Sequence, residues 1–333
     1  MKLLGYILAS IILISIVLWI IFWSYSHKTY EVGYGISFSP DHATSLGLDW
    51  RQTYSTMITD LHPNYIRIAA MWNDIEREEG AYDFSNVDWM MEEAGKYNVK
   101  VMLVVGQKAP RWPECHVPGW IDGVDSDMYR TKLLAYVKAV VERYQEHPAL
   151  ELWQVENEAF IRFAFGNCER FDQDAVYSEL ALVHHMDPKR KIVMTDSGEL
   201  SSWRLPSKLG DILGTTLYRN VRTPGGHIFS YNWLPAGFYR LKAALWHKSS
   251  NQFIVSELQA EPWFTDSTPL DTSVEKMEQT LNPDILIANI EYATHIGASR
   301  VYFWGVEWWY FMKTQKDDNR YWALIQDTLR PTK

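Results

Sequence analysis

Two short stretches gather side chains able to hand over protons or attack a polarised centre. One is Val155-Glu156-Asn157-Glu158, at the end of an apolar run, and the other is Ser256-Glu257, at the end of another. A pair of carboxylates becomes chemically useful when its surroundings push the two pKa values apart, so that one holds a proton and the other is ionised. Arg67, a cation inside the otherwise apolar Tyr65-Ile66-Arg67-Ile68, is a source of that asymmetry, because a guanidinium nearby favours an ionised carboxyl. Each glutamate has a rival. Glu156 competes with Glu158, but strand alternation and the Asn157-Glu158 pairing favour Glu158. Glu261 competes with Glu257, but it falls beyond the run beside Pro262, where a solvated loop carboxylate is the ordinary expectation.

Such carboxylates need a frame. Short β-rich runs at Val32–Ser37, Tyr65–Ala70, Val99–Val105, Leu150–Val155, Lys191–Thr195, Ile212–Leu217, Gln252–Ser256 and Arg300–Trp304 alternate with helix-like stretches such as Val87–Tyr97, Met128–Tyr144, Ala175–His185 and Pro283–His295. No Pro/Gly/Ser-rich linker divides the series, so residues 29–333 read as one α/β domain, a (β/α)8 TIM barrel. A doubly wound sheet would carry a glycine-rich phosphate turn after its first strand. Gly33-Tyr34-Gly35 lies inside the strand, lacks the third glycine, and reads as a packing feature. In a barrel, chemistry gathers at the C-terminal ends of the strands, which puts Glu158 and Glu257 roughly opposite one another across the mouth.

The first 28 residues read differently. Leu3 to Trp23 carries no charge and is long enough to cross a hydrocarbon layer of about 30 Å as a helix. Trp19, Trp23 and Tyr25 sit near its far end, where amphipathic rings favour the interface. Residues 1–28 are therefore expected to be an uncleaved signal-anchor, a transmembrane helix that leaves the barrel single-pass and extracytoplasmic. The alternative is secretion after cleavage, since Ser24 and Ser26 form a small-x-small site.

Composition excludes other classes. With 32 Lys+Arg against 41 Asp+Glu the net charge is −9, which makes nucleic acid a poor partner. Two cysteines support neither a disulfide framework nor a cysteine-based zinc site. Cys115 and Cys168 fall in loops after strands three and four and either form one disulfide in an exported protein or remain free. His184-His185 with Asp187 reads as a helix end, not a metal site, and no Walker loop or Gly-x-Ser-x-Gly elbow occurs. No metal and no cofactor are expected.

Trp153-Gln154-Val155-Glu156-Asn157-Glu158 resembles the Trp-x-x-x-Asn-Glu motif on strand four of clan A glycoside hydrolases, retaining enzymes built on (β/α)8 barrels. Met71-Trp72-Asn73-Asp74-Ile75-Glu76 with Glu79–Phe84 looks like their strand-two segment. Phe253–Ala260, ending at Trp263, is similar to their strand-seven segment, with a β-galactosidase-like flavour. Ala159 departs from the pattern, standing where many members have proline. The resemblance implies a carbohydrate substrate, Glu158 as acid/base and Glu257 as nucleophile, with carboxyl groups about 5–5.5 Å apart. It further implies that Asn157 holds the sugar 2-hydroxyl, Tyr218 hydrogen-bonds the nucleophile, Trp304 floors the sugar site, and Arg67 and Trp72 serve substrate binding. A non-catalytic sugar-binding barrel is the alternative. Of the 16 tryptophans, several cluster after strands three, seven and eight, a distribution expected to serve stacking on sugar faces. Trp112, His116, Trp120, Trp263, Trp308 and Trp309 are candidates either for lining the cleft or for packing.

Overall fold

The computed structural model describes residues 2–161, 166–168, 170–223, 225–265 and 267–330. Its strands are β1 (Gly33–Ser37), β2 (Tyr65–Ala69), β3 (Lys100–Val105), β4 (Leu150–Val155), β5 (Lys191–Asp196), β6 (Ile212–Leu217), β7 (Asn220–Arg222), β8 (Ile228–Ser230), β9 (Phe253–Gln259) and β10 (Arg300–Trp304). Eight of them close a barrel in the order β1-β10-β9-β6-β5-β4-β3-β2, with every pairing parallel. The expected TIM barrel is therefore present. β7 and β8 form a small antiparallel hairpin in the β6–β9 connection, which strand periodicity does not reveal because each is three residues long.

The barrel strands read as apolar runs because both of their faces are covered. Met102, Leu152, Val193, Ile212, Ile254 and Tyr302 form a buried cluster, with Tyr65 packed against it. Gly35 is needed beside this layer. A Cβ there would lie 2.8 Å from the Tyr302 ring and 2.9 Å from the Tyr65 Cβ, so the Gly33–Gly35 pair serves packing. The larger hydrophobic cluster packs helices such as Ser85–Lys96 and Ser126–Tyr144 onto the barrel.

β9 runs further than its sequence suggests. It extends through Gln259 and is irregular on both sides, with register shifts between Thr215 and Thr216 on β6 and between Val301 and Phe303 on β10. Glu257 therefore lies within a bulged strand, not after its end. A bulge re-aims the side chains around it, and here it turns a carboxylate toward the mouth.

The chain begins with the helix Lys2–Ser26, whose residues from Leu4 to Ile21 are exposed and whose stretch Leu4–Ser26 has a mean hydropathy of 2.7. It is one helix long and apolar enough to cross a membrane. Its last turn is not separate from the barrel domain. The Gly237 N–H donates to the Ser26 hydroxyl at 2.7 Å, and the Phe22 and Phe238 rings meet edge to face. Gly237 is small for a reason, since a Cβ there would lie 2.8 Å from the Cβ of Tyr25. The connection then clips to the barrel through the Tyr30 N–H and the Thr294 carbonyl, 2.9 Å apart.

Candidate active site

Arg67 rises from the middle of β2 and is 1% exposed. A buried guanidinium is tolerable only if its donors are met. Its Nε donates to Gln154 Oε1 at 2.9 Å, its Nη2 to Asn157 Oδ1 at 2.9 Å, and its Nη1 to Glu257 Oε1 at 2.7 Å. The other oxygen of Glu257 accepts from the Tyr218 hydroxyl at 2.7 Å. Burial and the neighbouring Glu257 charge push the Tyr218 hydroxyl well above the usual phenol range, so it stays a neutral donor. Glu257 thus faces a cation on one oxygen and a hydroxyl donor on the other, a setting suited to a carboxylate anion.

Glu158 has the opposite surroundings. It caps the end of β4 with φ +46, and Glu156 two residues earlier has φ +57, both in the left-handed region that costs a non-glycine residue energy. Its backbone N–H donates to Thr195 Oγ1 at 2.9 Å, and its Oε1 accepts from the Thr216 hydroxyl at 3.5 Å. Thr216 is also the register partner of Glu257 across β6 and β9, so one residue of β6 stands beside both glutamates. Burial, then the Glu257 and Glu114 charges, raise the Glu158 carboxyl well above the usual range, as a proton donor at neutral pH requires.

Glu156 is spoken for. Its carboxyl accepts the backbone N–H groups of Gln107 and Lys108, at 2.7 and 2.5 Å. Gly106, at φ +119, permits this approach, because a Cβ there would lie 2.6 Å from the Glu156 Cδ. Glu156 also pairs with Glu179 beneath the mouth. Burial pushes Glu156 up to about 7, and burial with the Glu156 charge holds Glu179 well above the carboxylate range.

Glu261 is not a solvated loop carboxylate. It is largely covered and ion-paired with Arg111, which also ion-pairs Glu307 at 2.9 Å. Burial opposes its ionisation, but Arg111 and His42 outweigh burial and hold it down at about 2. The same guanidinium lies 4.0 Å from the centre of the Trp304 ring. The expected sugar floor is thus covered by Arg111, and the cavity there, lined by Arg67, Met71, Arg111 and Trp304 among others, measures about 10 Å³. His42, Glu261 and Glu307 bring candidate ligand atoms within 4.8 Å of one another. Because Arg111 already bridges both of these carboxylates, their charge is met without an ion.

Trp72, expected to serve substrate binding, packs beneath the mouth. It is fully buried, donates to Glu76 Oε2 at 2.7 Å and stacks on Tyr136. The tryptophan excess likewise serves the core more than the cleft: Trp72, Trp153, Trp203, Trp308, Trp309 and Trp322 are among the largest fully buried side chains. Trp112 is exposed, Trp120 donates to the Glu76 carbonyl, and Trp263 sets its edge against Tyr218 in the site. His116 is buried with its Nε2 3.2 Å from the Arg111 carbonyl. His184 and His185 are exposed at a helix end, while Asp187 binds Trp153 and Arg190.

Sequence reasoning passed over Lys108, Arg111 and Glu114, which the β3 loop carries into the mouth. The available signal was three charges at three-residue spacing within Gln107–Cys115, at the end of a barrel strand where chemistry gathers. Cys115 and Cys168 form a disulfide, which settles the open alternative and ties this loop to the one after β4.

Barrel and motifs together resemble those of the clan A glycoside hydrolases, and the comparisons with known proteins bear out this resemblance. The family model of glycoside hydrolase 42, described as Beta-galactosidase, matches residues 37–121 and 123–174. A β-galactosidase of Arthrobacter sp is 28% identical over 147 residues, covering 38% of this chain and 20% of that one. Among solved structures, a β-galactosidase from the Antarctic haloarchaeon Halorubrum lacusprofundi superposes with a TM-score of 0.58 at 17% identity, covering 90% of this chain and 57% of that one. Xylanase 10B from Thermotoga petrophila RKU-1 gives 0.60 at 15% identity, covering 90% and 95%. The chain spans about a fifth of the length of the curated relatives it matches.

The Glu156–Glu179 pair makes stability pH-dependent. Both groups bind protons more tightly folded than unfolded, so their contribution is fully present below the unfolded value near 4.5 and is lost as pH rises toward about 7 and beyond. Glu179→Gln keeps a hydrogen-bond donor for Glu156 without a proton to lose. The variant should gain on the order of 1 kcal/mol over the parent at pH 8 and little or nothing at pH 4.5. Thermal unfolding across that range checks this, and parallel pH profiles for the two proteins would contradict it.

Proposed function

We propose that the chain is a retaining β-glycosidase acting on an oligo- or polysaccharide by double displacement. The observation that carries this reading is the division of surroundings between the two glutamates, with Glu257 against Arg67 and Tyr218 and Glu158 buried with a raised carboxyl pKa. In the first step a Glu257 oxygen bonds to the anomeric carbon as the glycosidic C–O bond breaks, and the Glu158 proton passes to the leaving oxygen. In the second, Glu158 takes a proton from water, the hydroxide oxygen bonds to the anomeric carbon, and Glu257 leaves as the carboxylate. Asn157 orients the sugar through its 2-hydroxyl. The relatives named as β-galactosidases and a xylanase support glycoside cleavage as the shared chemistry.

One observation favours a second reading, a barrel that binds glycans without cleaving them. Arg111 covers Trp304, and a sugar reaches that ring only when the guanidinium moves aside. Turnover separates the two. Glu158→Gln and Glu257→Gln should each lower kcat/KM on an activated aryl β-glycoside by about 10³-fold or more, with circular dichroism unchanged, as expected when a transition-state group is lost. Full activity in either variant sinks the assignment, and binding without turnover in the parent supports the second reading.

The apolar helix and the disulfide support a membrane anchor with the barrel on the oxidising side. Alkaline carbonate extraction should leave the full chain in the membrane pellet. Release into the supernatant as a shortened chain would support signal cleavage instead.

A further inference from the structure

Asn157 has only one kind of hydrogen bond left to offer. Its Oδ1 accepts from Arg67 Nη2 at 2.9 Å, from Thr195 Oγ1 at 3.2 Å and from Gln154 Nε2 at 3.3 Å. A carbonyl oxygen with three donors around it is full. What remains is the amide nitrogen, and it points at Glu114, whose Oε2 lies 3.3 Å away. A hydroxyl that docks on Asn157 must therefore accept from Nδ2, and its own hydrogen then needs an acceptor. Two atoms 3.3 Å apart can both lie within hydrogen-bond reach of one hydroxyl oxygen, one donating to it and the other accepting from it.

The β3 loop is built to hold Glu114 there. Glu114 is 7% exposed and sits at φ +73, a left-handed conformation that costs a non-glycine residue energy. Its N–H donates to the Arg111 carbonyl and its own carbonyl accepts from Ala109, both at 2.8 Å. From the β4 side, the Asn167 N–H donates to the Pro113 carbonyl at 2.9 Å. Gly166 leaves room beside it, since a Cβ there would fall 2.5 Å from the Glu114 Cβ. The disulfide Cys115–Cys168 closes the same contact. Burial raises the Glu114 carboxyl to about 7, and Lys108 Nζ, 4.0 Å from its Oε2, opposes that rise and favours the ionised form; in either form the free Oε1 keeps lone pairs to accept a hydroxyl. Among the described residues, Glu114 Oε1 accepts no hydrogen bond, so the carboxyl has capacity to spare.

We propose that Glu114 is a specificity residue of this site, accepting the hydrogen bond from the sugar 2-hydroxyl to which Asn157 donates, so that the substrate class is β-glycosides with a free 2-hydroxyl. This rests on the glycosidase reading above. A 2-deoxy sugar leaves a buried donor and a buried acceptor unanswered, and a 2-acetamido group sets a carbonyl and a methyl against a carboxylate.

The test compares two substrates on three enzymes. The full-length parent, Glu114→Ala and Glu114→Gln are assayed on an activated aryl β-glycoside and its 2-deoxy counterpart. The intrinsic reactivity of the two sugars cancels, because every enzyme meets the same pair. Glu114→Ala should lose roughly 100-fold in kcat/KM on the 2-hydroxyl substrate and less than about threefold on the 2-deoxy substrate. Glu114→Gln, which keeps an acceptor oxygen, should recover part of the 2-hydroxyl activity. Equal losses on both substrates would overturn the inference and make Glu114 a purely structural residue, while the glycosidase reading stands. If the parent cleaves neither substrate, the glycosidase reading fails and this inference fails with it. Should Glu114→Ala fold poorly, the substrate ratio of Glu114→Gln decides, an unchanged ratio counting against the proposal.

Discussion

A single buried guanidinium organises the mouth of this barrel. Arg67 enters from β2 and is held by Gln154 on β4, by Asn157 just beyond it and by Glu257 on β9. Burying a charge costs several kcal/mol unless it is paired and its donors are met, and breaking such a pair leaves the partner uncompensated at about 3–5 kcal/mol. The three acceptors therefore cannot vary independently. Arg67 takes one oxygen of Glu257 and leaves the other to Tyr218, and with Thr195 and Gln154 it fills the oxygen of Asn157 so that only the amide nitrogen is left for a ligand. The polarity of the site follows from one side chain on the second strand.

The barrel supplies what Arg67 alone cannot. Parallel strands deliver their C-terminal ends to one face, and the bulge within β9 turns Glu257 toward it. Thr216, in register with Glu257 and hydrogen-bonded to Glu158, ties the two halves of the pair to the same strand. Two left-handed glutamates at the end of β4 mark where backbone energy is spent to aim side chains. Of these, Glu156 is locked by loop amides and Glu158 is aimed at the mouth.

Much of this was legible in the residues themselves. Eight apolar runs at regular spacing outline the barrel, because buried parallel strands have no polar face to hide them. Asn157-Glu158 and Glu257 stand out because carboxylates at the ends of such runs need a reason to be there. Other features depend on tertiary partners that spacing does not carry. Glu261 reads as a solvated loop residue until Arg111, some 150 positions earlier, is seen beside it. Trp72 sits in a segment that resembles a functional one, yet Tyr136 and Glu76 bury it. The charge spacing marks the β3 loop but not the role of Glu114, because Cys168 and Gly166, which help to place it, belong to a different loop. The end of β9 is not legible in the sequence for a related reason, since a bulge breaks the two-residue alternation by which a strand is followed.

The central claim is that Glu257 forms a covalent bond to the sugar before water does, so that two inversions restore the starting configuration. The most direct test is a proton NMR time course of the first-formed reducing sugar, read before mutarotation sets in. The β-anomer should appear first, with the α-anomer growing only at the rate of spontaneous interconversion. An α-anomer as the first product would contradict the account, because it requires water, not Glu257, to attack the anomeric carbon directly.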